Sequence, residues 1–171
     1  MILSNRLLNR LSEREGGFVN NPYDRGGPTK YGITLNTLSN WRGYTVTVEE
    51  IKKLDKKEAN EIYNQEYWIK PGFNTLEGDE RVIELLFDSA VHHGPSNAIK
   101  MLQEALQLKT DGIIGPRTRQ AVKLHSNNEV LAKMIGARLR FIARIVRRDP
   151  SQTEFILGWS NRLIGFLNMI N

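Results

Sequence analysis

The stretch Glu80-Arg-Val-Ile-Glu-Leu-Leu-Phe-Asp-Ser-Ala-Val-His92 decides the fold class of this 171-residue chain. Its apolar side chains occupy almost every side of a helical wheel, which is typical of a helix buried among other helices. Gly94-Pro95 follows directly and predicts the end of that helix. We therefore predict a mainly α protein whose central helix covers residues 80–92.

The segments around the central helix carry further helix signals. Capping-box patterns begin at Thr47, Asp55 and Ser151, and each predicts the start of a helix. Pro116 is well placed as the first residue of another helix. Residues 16–34 differ, because Gly, Pro, Asn and Asp dominate there, and they predict turns with a small β-hairpin.

Composition excludes several classes of protein. The chain has no cysteine, so it has neither disulfides nor thiolate metal sites. No apolar run approaches the roughly 20 residues that cross a bilayer. Met1 to Arg14 has three arginines and lacks the continuous apolar region of a signal peptide, so we expect the protein to be made and kept in the cytoplasm.

The positive charge is concentrated in the last third of the chain. Residues 1–100 carry a net charge of −1, and residues 101–171 carry +6. Within residues 131–148, one helical face is basic and predicts contact with an anionic surface. That face holds Lys133, Arg140, Arg144, Arg147 and Arg148, whereas Arg138 alone among the cations falls in the apolar arc. The competing interpretation is a core helix with a solvated basic side.

The segment Glu15-Gly-Gly-Phe-Val-Asn-Asn-Pro-Tyr-Asp-Arg-Gly-Gly-Pro-Thr-Lys-Tyr-Gly-Ile-Thr34 holds the candidate chemistry. Glu15 ends a predicted helix, where the dipole and desolvation raise a carboxyl pKa toward that of a general acid. Asp24 lies in a polar, glycine-rich turn, where it stays ionised. Two carboxyls in unlike environments are what glycoside hydrolysis uses. Each fragment alone is more often a helix end or a turn, so the prediction depends on their conjunction.

This segment resembles the signature of the glycoside hydrolase family 108 N-acetylmuramidases of bacteriophage endolysins and prophages. Three further stretches extend the resemblance along the chain: Tyr63 to Trp68, Phe87 to Gly94, and Leu102-Gln103 with Asp111-Gly-Ile-Ile-Gly-Pro-Arg-Thr118. The last of these resembles the predicted peptidoglycan-binding segment that usually follows. The Asp111–Thr118 turn is equally compatible with a helical joint of one domain.

The resemblance implies a lysozyme-like helical fold that cleaves the β-1,4 bond between N-acetylmuramic acid and N-acetylglucosamine in peptidoglycan. It makes Glu15 the catalytic acid, and it makes Asp24 and Thr29 the residues that activate or hold the attacking water. The Asp24–Thr29 spacing is one residue shorter than in phage-type lysozymes, and His92 stands where the family pattern has asparagine. We predict a single domain over residues 1–171, with a catalytic portion over 1–95 and a peptidoglycan-binding-like portion over 96–171.

The resemblance also indicates which residues should contact the substrate and which partners the protein should have. Substrate contacts are predicted from aromatic and histidine side chains, namely Tyr31, Tyr67, Trp68, His92 and His93. Aromatics at helical spacing are more often core residues. No metal or other cofactor is expected, because adjacent histidines cannot face one site from a helix. We expect a monomer that meets peptidoglycan and outer-membrane lipopolysaccharide, does not bind nucleic acid, and stays in the host cytoplasm until lysis releases it to the cell wall.

Two other functions compete with this one. A lytic transglycosylase needs the acid glutamate but no second carboxylate. A non-catalytic cell-wall binding module needs only the basic surface and the Asp111–Thr118 turn.

Overall fold

The computed structural model describes residues 17–20 and 27–170, and 70% of these described residues are helical. The prediction of a mainly α, lysozyme-like fold with one small antiparallel sheet is confirmed. Strands β1 (Thr29–Lys30) and β2 (Ile33–Thr34) form that sheet. The described ranges contain eight α-helices: α1 (Leu35–Arg42), α2 (Val48–Lys52), α3 (Lys56–Asn64), α4 (Glu80–His93), α5 (Pro95–Ala105), α6 (Pro116–His125), α7 (Asn128–Arg148) and α8 (Ile156–Leu167).

The chain divides into two compact units between Glu66 and Tyr67. We call them the N-terminal unit and the C-terminal unit. This boundary does not coincide with the division predicted after residue 95, which stays a prediction about function.

The N-terminal unit builds its helices from local caps. The Thr34 hydroxyl accepts a hydrogen bond from the Thr37 amide and so starts α1 directly after the hairpin. A complete capping box between Thr47 and Glu50 starts α2, as its sequence predicts. The carboxylate of Asp55 accepts from the Glu58 amide and starts α3. Because the caps satisfy amides that a helix start leaves unpaired, these short helices are stable next to the turns.

The C-terminal unit is organised around α4, the predicted central helix. Helix α4 packs against α5 and α7, and α8 packs against α7. Its core residues include Leu85, Leu86, Leu102, Met134 and Phe166, all of which are buried. The end of α4 at Gly94 and the start of α6 at Pro116 lie where the sequence predicts them.

One predicted helix start is wrong. The pattern at Ser151 predicts a capping box, but residues Pro150–Phe155 form a 3-10 helix, and α8 begins only at Ile156. Asp149 is the residue that caps this turn, because its carboxylate accepts from the Ser151 amide and hydroxyl. Pro150 then occupies the first position of the 3-10 turn, where its missing N–H costs nothing.

Among the helices that the structure describes, none combines the length and the apolar character needed to span a lipid bilayer.

Candidate functional site

The predicted catalytic carboxyls, Glu15 and Asp24, lie outside the described residues, and their roles stay predictions. Thr29, the third predicted catalytic residue, lies in β1. Its backbone donates to Val19 and accepts from Val19 at 2.8 and 2.9 Å, and across the hairpin it pairs with Thr34. Neighbouring backbone on both sides therefore holds Thr29 in place.

The hairpin turn consists of Tyr31 and Gly32, both with left-handed backbone. Their φ angles are 51° and 70°, as a two-residue type I′ hairpin turn requires. Gly32 adopts this conformation without steric cost, whereas Tyr31 needs support from its surroundings.

Tyr63 of α3 supplies that support. Its hydroxyl donates to the Tyr31 carbonyl at 2.7 Å from a buried position. The Lys30 ammonium lies 5.3 Å from the centre of the Tyr31 ring, within the range of a cation–π contact. The turn is thus fixed to a helix of its own unit, and the half-buried Tyr31 ring is held on the hairpin. Its role in substrate binding stays a prediction.

Trp68 is a core residue, and the prediction that it binds substrate is corrected. Its side chain is 1% exposed, and its ring meets Phe73 and Phe87 edge to face at 6.3 and 5.8 Å between centroids. A ring enclosed in this way presents no face for a sugar. Tyr67 precedes it in a π-helical segment, Gln65–Ile69, and is half-buried. Its predicted role stays open.

A buried ionic cluster surrounds Asp88 and includes His93, the last residue of α4. The carboxylate of Asp88 accepts from Arg138 on α7 at 2.6 Å and from Arg162 on α8 at 2.8 Å. Arg138 is fully buried and also donates through Nε to Nε2 of His93 at 3.2 Å. We call Asp88, His93, Arg138 and Arg162 the Asp88 cluster. It links three helices of the C-terminal unit.

The Asp88 cluster shifts the ionisation of its members. Burial raises the pKa of Asp88, but the positive charges of Arg138 and Arg162 outweigh burial and leave it below its ordinary value. Burial, reinforced by the charge of Arg138, lowers the pKa of His93 from 6.5 to about 3. His93 is therefore neutral at physiological pH, and its Nε2 serves as an acceptor inside the protein. A contact of His92 or His93 with substrate stays a prediction.

Sequence reasoning did not predict the Asp88 cluster. The signals were present: Asp88 interrupts the apolar central helix, and Arg138 is the one cation in the apolar arc of α7. A buried charge needs a buried partner, so two isolated charges on apolar helical faces could have been paired with each other.

The Asp111–Thr118 turn is organised by the buried side chain of Gln103 on α5. The Gln103 amide donates to the Asp111 carboxylate, the Ile113 carbonyl and the Thr118 hydroxyl, at 2.7, 3.0 and 3.2 Å. Its oxygen accepts from the Gly112 amide at 2.9 Å. The polar groups of this turn are thus engaged within the protein, which favours a structural joint at this position over a polar sugar site.

Ion pairs neutralise two of the five residues on the predicted basic face of α7. Lys133 pairs with Glu129 at 2.5 Å, and Arg140 pairs with Glu104 at 2.6 Å. No side-chain hydrogen bond or ion pair connects Arg144, Arg147 or Arg148 to any residue within 17–20 and 27–170, and all three are exposed. The uncompensated positive charge therefore lies at the C-terminal end of the helix.

In the part of the chain that the structure describes, no three His, Cys, Asp or Glu side chains come together in a way that could hold a metal ion.

Comparisons with known proteins agree with this fold. A family model described as "Glycosyl hydrolase 108" matches residues 8–94, and one described as "Predicted Peptidoglycan domain" matches residues 97–164. The solved structure of SagA from Brucella abortus is 33% identical with a TM-score of 0.85, and the match covers 96% of this chain and 91% of that one. None of the curated protein sequences matches this chain.

The fold, the glycosyl hydrolase match and the peptidoglycan-domain match together define a lysozyme-like glycoside hydrolase that acts on peptidoglycan. More narrowly, the chain belongs to the glycosyl hydrolase 108 family, whose model spans half of it and includes Glu15, Asp24 and Thr29.

Proposed function

We propose that this chain is an N-acetylmuramidase, which hydrolyses the β-1,4 bond between N-acetylmuramic acid and N-acetylglucosamine. The observation that carries the proposal is the family match over residues 8–94, because it includes both candidate carboxyls and the hairpin. The ordered hairpin supports it further, since Thr29 and Tyr31 are held by backbone pairing and by Tyr63.

The proposed reaction has two steps, one carried by Glu15 and the other by Asp24 together with Thr29. Glu15 donates its proton to the glycosidic oxygen as the bond from that oxygen to the anomeric carbon breaks. A water molecule held by Asp24 and Thr29 forms the new bond to the anomeric carbon, and Asp24 accepts its proton. Rigid placement of the water suits a threonine in a paired strand, because positioning lowers the entropic part of the barrier.

The decisive test replaces Glu15 by Gln and measures lysis of purified cell walls. The variant keeps the shape of the side chain and loses the proton, so activity should fall by at least about 10²-fold to 10⁴-fold. Glu49→Gln is the matched control, because Glu49 forms only an exposed surface pair with Lys52 in the same unit. A folded Glu15→Gln protein that still clears cell walls contradicts the proposal.

The products identify the bond and the reaction class. Borohydride reduction of digested peptidoglycan followed by mass spectrometry should find reduced N-acetylmuramic acid at the new ends. Reduced N-acetylglucosamine would instead indicate cleavage of the other glycosidic bond. Anhydro-muramic ends would indicate the transglycosylase alternative, in which Glu15 acts alone.

We also propose that the enzyme is a phage-type endolysin, held in the host cytoplasm until lysis. The basis is the resemblance of its signature segment to that of endolysins. Expression in a bacterial host should lower culture turbidity only when a pore-forming protein is supplied as well. Lysis without such a protein would contradict this proposal.

A second proposal concerns the exposed arginines Arg144, Arg147 and Arg148, which we assign to contact with outer-membrane lipopolysaccharide. Their lack of acidic partners among the described residues favours it over a role in the fold. Replacing all three by Gln should reduce killing of intact cells. Equal loss on purified peptidoglycan would mean that these residues serve folding or substrate binding, and would refute the proposal.

A further inference from the structure

Helix α8 exposes an apolar surface that the fold does not use. Leu157 is 72% exposed, Ile164 50%, Leu167 43% and Ile156 40%. At 100° per residue these four side chains lie within about 100° of the helix circumference, with uncharged Ser160 among them. We call them the α8 face. Leu163 and Phe166, at about 340° and 280° on a wheel that starts at Ile156, border this arc. Both are buried and keep the helix attached to its unit.

Exposed leucine and isoleucine side chains scattered singly need no explanation, but a contiguous set on one helix marks an interaction surface. No charged side chain lies on the α8 face, so nothing on it disfavours transfer into an apolar environment. Its partner must therefore accept aliphatic side chains along about 18 Å of helix.

The α8 face begins near the exposed arginines of α7. Arg144, Arg147 and Arg148 form the basic end of α7, and the 3-10 helix Pro150–Phe155, about 12 Å long, connects this end to α8. Helix α8 then runs back along α7. Asn128, the first residue of α7, donates to the Ile170 carbonyl beyond the end of α8 at 2.9 Å. Ile156 and Leu157 thus lie at the same end of the helix pair as the arginines.

We propose that the α8 face and the basic end of α7 form one surface that docks on an anionic phospholipid bilayer. The aliphatic side chains enter the boundary between headgroups and acyl chains, and the arginines bind lipid phosphates. An apolar helical side bordered by exposed cations is the pattern of helices that lie in a membrane interface. The surface fits a second copy of the chain less well, because a two-fold pair brings both sets of uncompensated arginines together.

The proposal is independent of which glycosidic bond is cleaved. Its test is co-sedimentation of the full chain with phosphatidylcholine vesicles that contain or lack 30% phosphatidylglycerol. We expect binding only to the anionic vesicles, weakening as salt is raised. Arg144→Gln/Arg147→Gln/Arg148→Gln should lower the partition coefficient about 100-fold. Leu157→Ser/Ile164→Ser should lower it about tenfold.

The matched control is Leu124→Ser with Ile113→Ser, since both residues are exposed and apolar but lie outside the α8 face. It should bind vesicles like the unchanged protein. Leu157→Ser/Ile164→Ser should also retain full hydrolysis of purified peptidoglycan, which shows that it folds.

Four results would overturn the proposal. The first is no binding of the unchanged protein to anionic vesicles, and the second is normal binding of Leu157→Ser/Ile164→Ser. The third is binding to lipopolysaccharide-bearing vesicles alone, which would support the lipopolysaccharide contact proposed above for the same arginines and refute docking on phospholipid. The fourth is a dimer in sedimentation velocity that Leu157→Ser/Ile164→Ser dissociates, which would identify a second copy as the occupant.

Discussion

Asp88 is the residue whose loss should most affect the fold. Its carboxylate balances the positive charges of Arg138 and Arg162 inside the C-terminal unit, where neither guanidinium can be hydrated as in water. Removing one partner of a buried ion pair leaves the other charge uncompensated, at a cost of about 3–5 kcal/mol.

We therefore expect Asp88→Asn to lower the free energy of unfolding by about 3–5 kcal/mol in urea titrations. The control is Glu129→Gln, because the exposed Glu129–Lys133 pair should contribute less than about 1 kcal/mol. Similar stability losses in both variants would mean that the buried pair contributes no more than a surface pair.

His93 should make stability depend on pH in mildly acidic solution. Its pKa is about 3 in the folded protein, against 6.5 when unperturbed. Between these values the unfolded chain binds the proton and the folded chain does not, so acid favours unfolding. Stability should fall by up to about 1.4 kcal/mol per pH unit as pH drops below about 6.5.

The measurement is the urea unfolding midpoint between pH 4 and pH 7 for the unchanged protein and for His93→Gln. The glutamine oxygen can still accept from Arg138 but does not titrate. The urea midpoint should therefore change less steeply with pH in this variant. His125→Gln serves as control, since His125 is exposed at the end of α6. An unchanged slope in His93→Gln would exclude His93 as its source.

At the scale of elements, the hairpin and the turn after α5 are both held by one side chain from a neighbouring helix. Tyr63 of α3 fixes the hairpin turn, and Gln103 of α5 fixes the turn that contains Asp111 and Gly112. Short irregular segments lack internal hydrogen-bond ladders, so such side chains replace them.

Gln103→Met should therefore disorder the Asp111–Thr118 turn without changing side-chain volume greatly. The half-buried Gly112 amide loses its partner, the buried Thr118 hydroxyl loses one of its two, and the free energy of unfolding should fall by about 2–4 kcal/mol. Amide hydrogen exchange of Gly112 should accelerate. Gln120→Met, at an exposed position of α6, is the matched control. Unchanged exchange in Gln103→Met would show that the turn is held by other contacts.

For the whole molecule, both compact units have a buried apolar core, but they differ in the polar contacts that supplement it. The N-terminal unit adds caps, the hairpin and the Arg42–Glu58 pair, whose two hydrogen bonds measure 2.9 and 2.7 Å. The C-terminal unit adds the buried Asp88 cluster. The uncompensated arginines lie in the C-terminal unit, whereas the glycosyl hydrolase match begins in the N-terminal one. The proposed surface attachment and the proposed chemistry can thus be altered separately by mutation.

The sequence by itself determined the mainly α fold, the extent of the central helix, the small hairpin that ends at residue 34 and the family. These features follow from local periodicity, caps and turn residues, which act between neighbours in the chain. Only the tertiary structure decided that Trp68 is enclosed by aromatic rings, that Gln103 organises the next turn, and that Arg138 meets Asp88 and His93. Periodicity identifies which side of a helix is buried, but the partner there comes from distant parts of the chain, so helix packing alone brings them together.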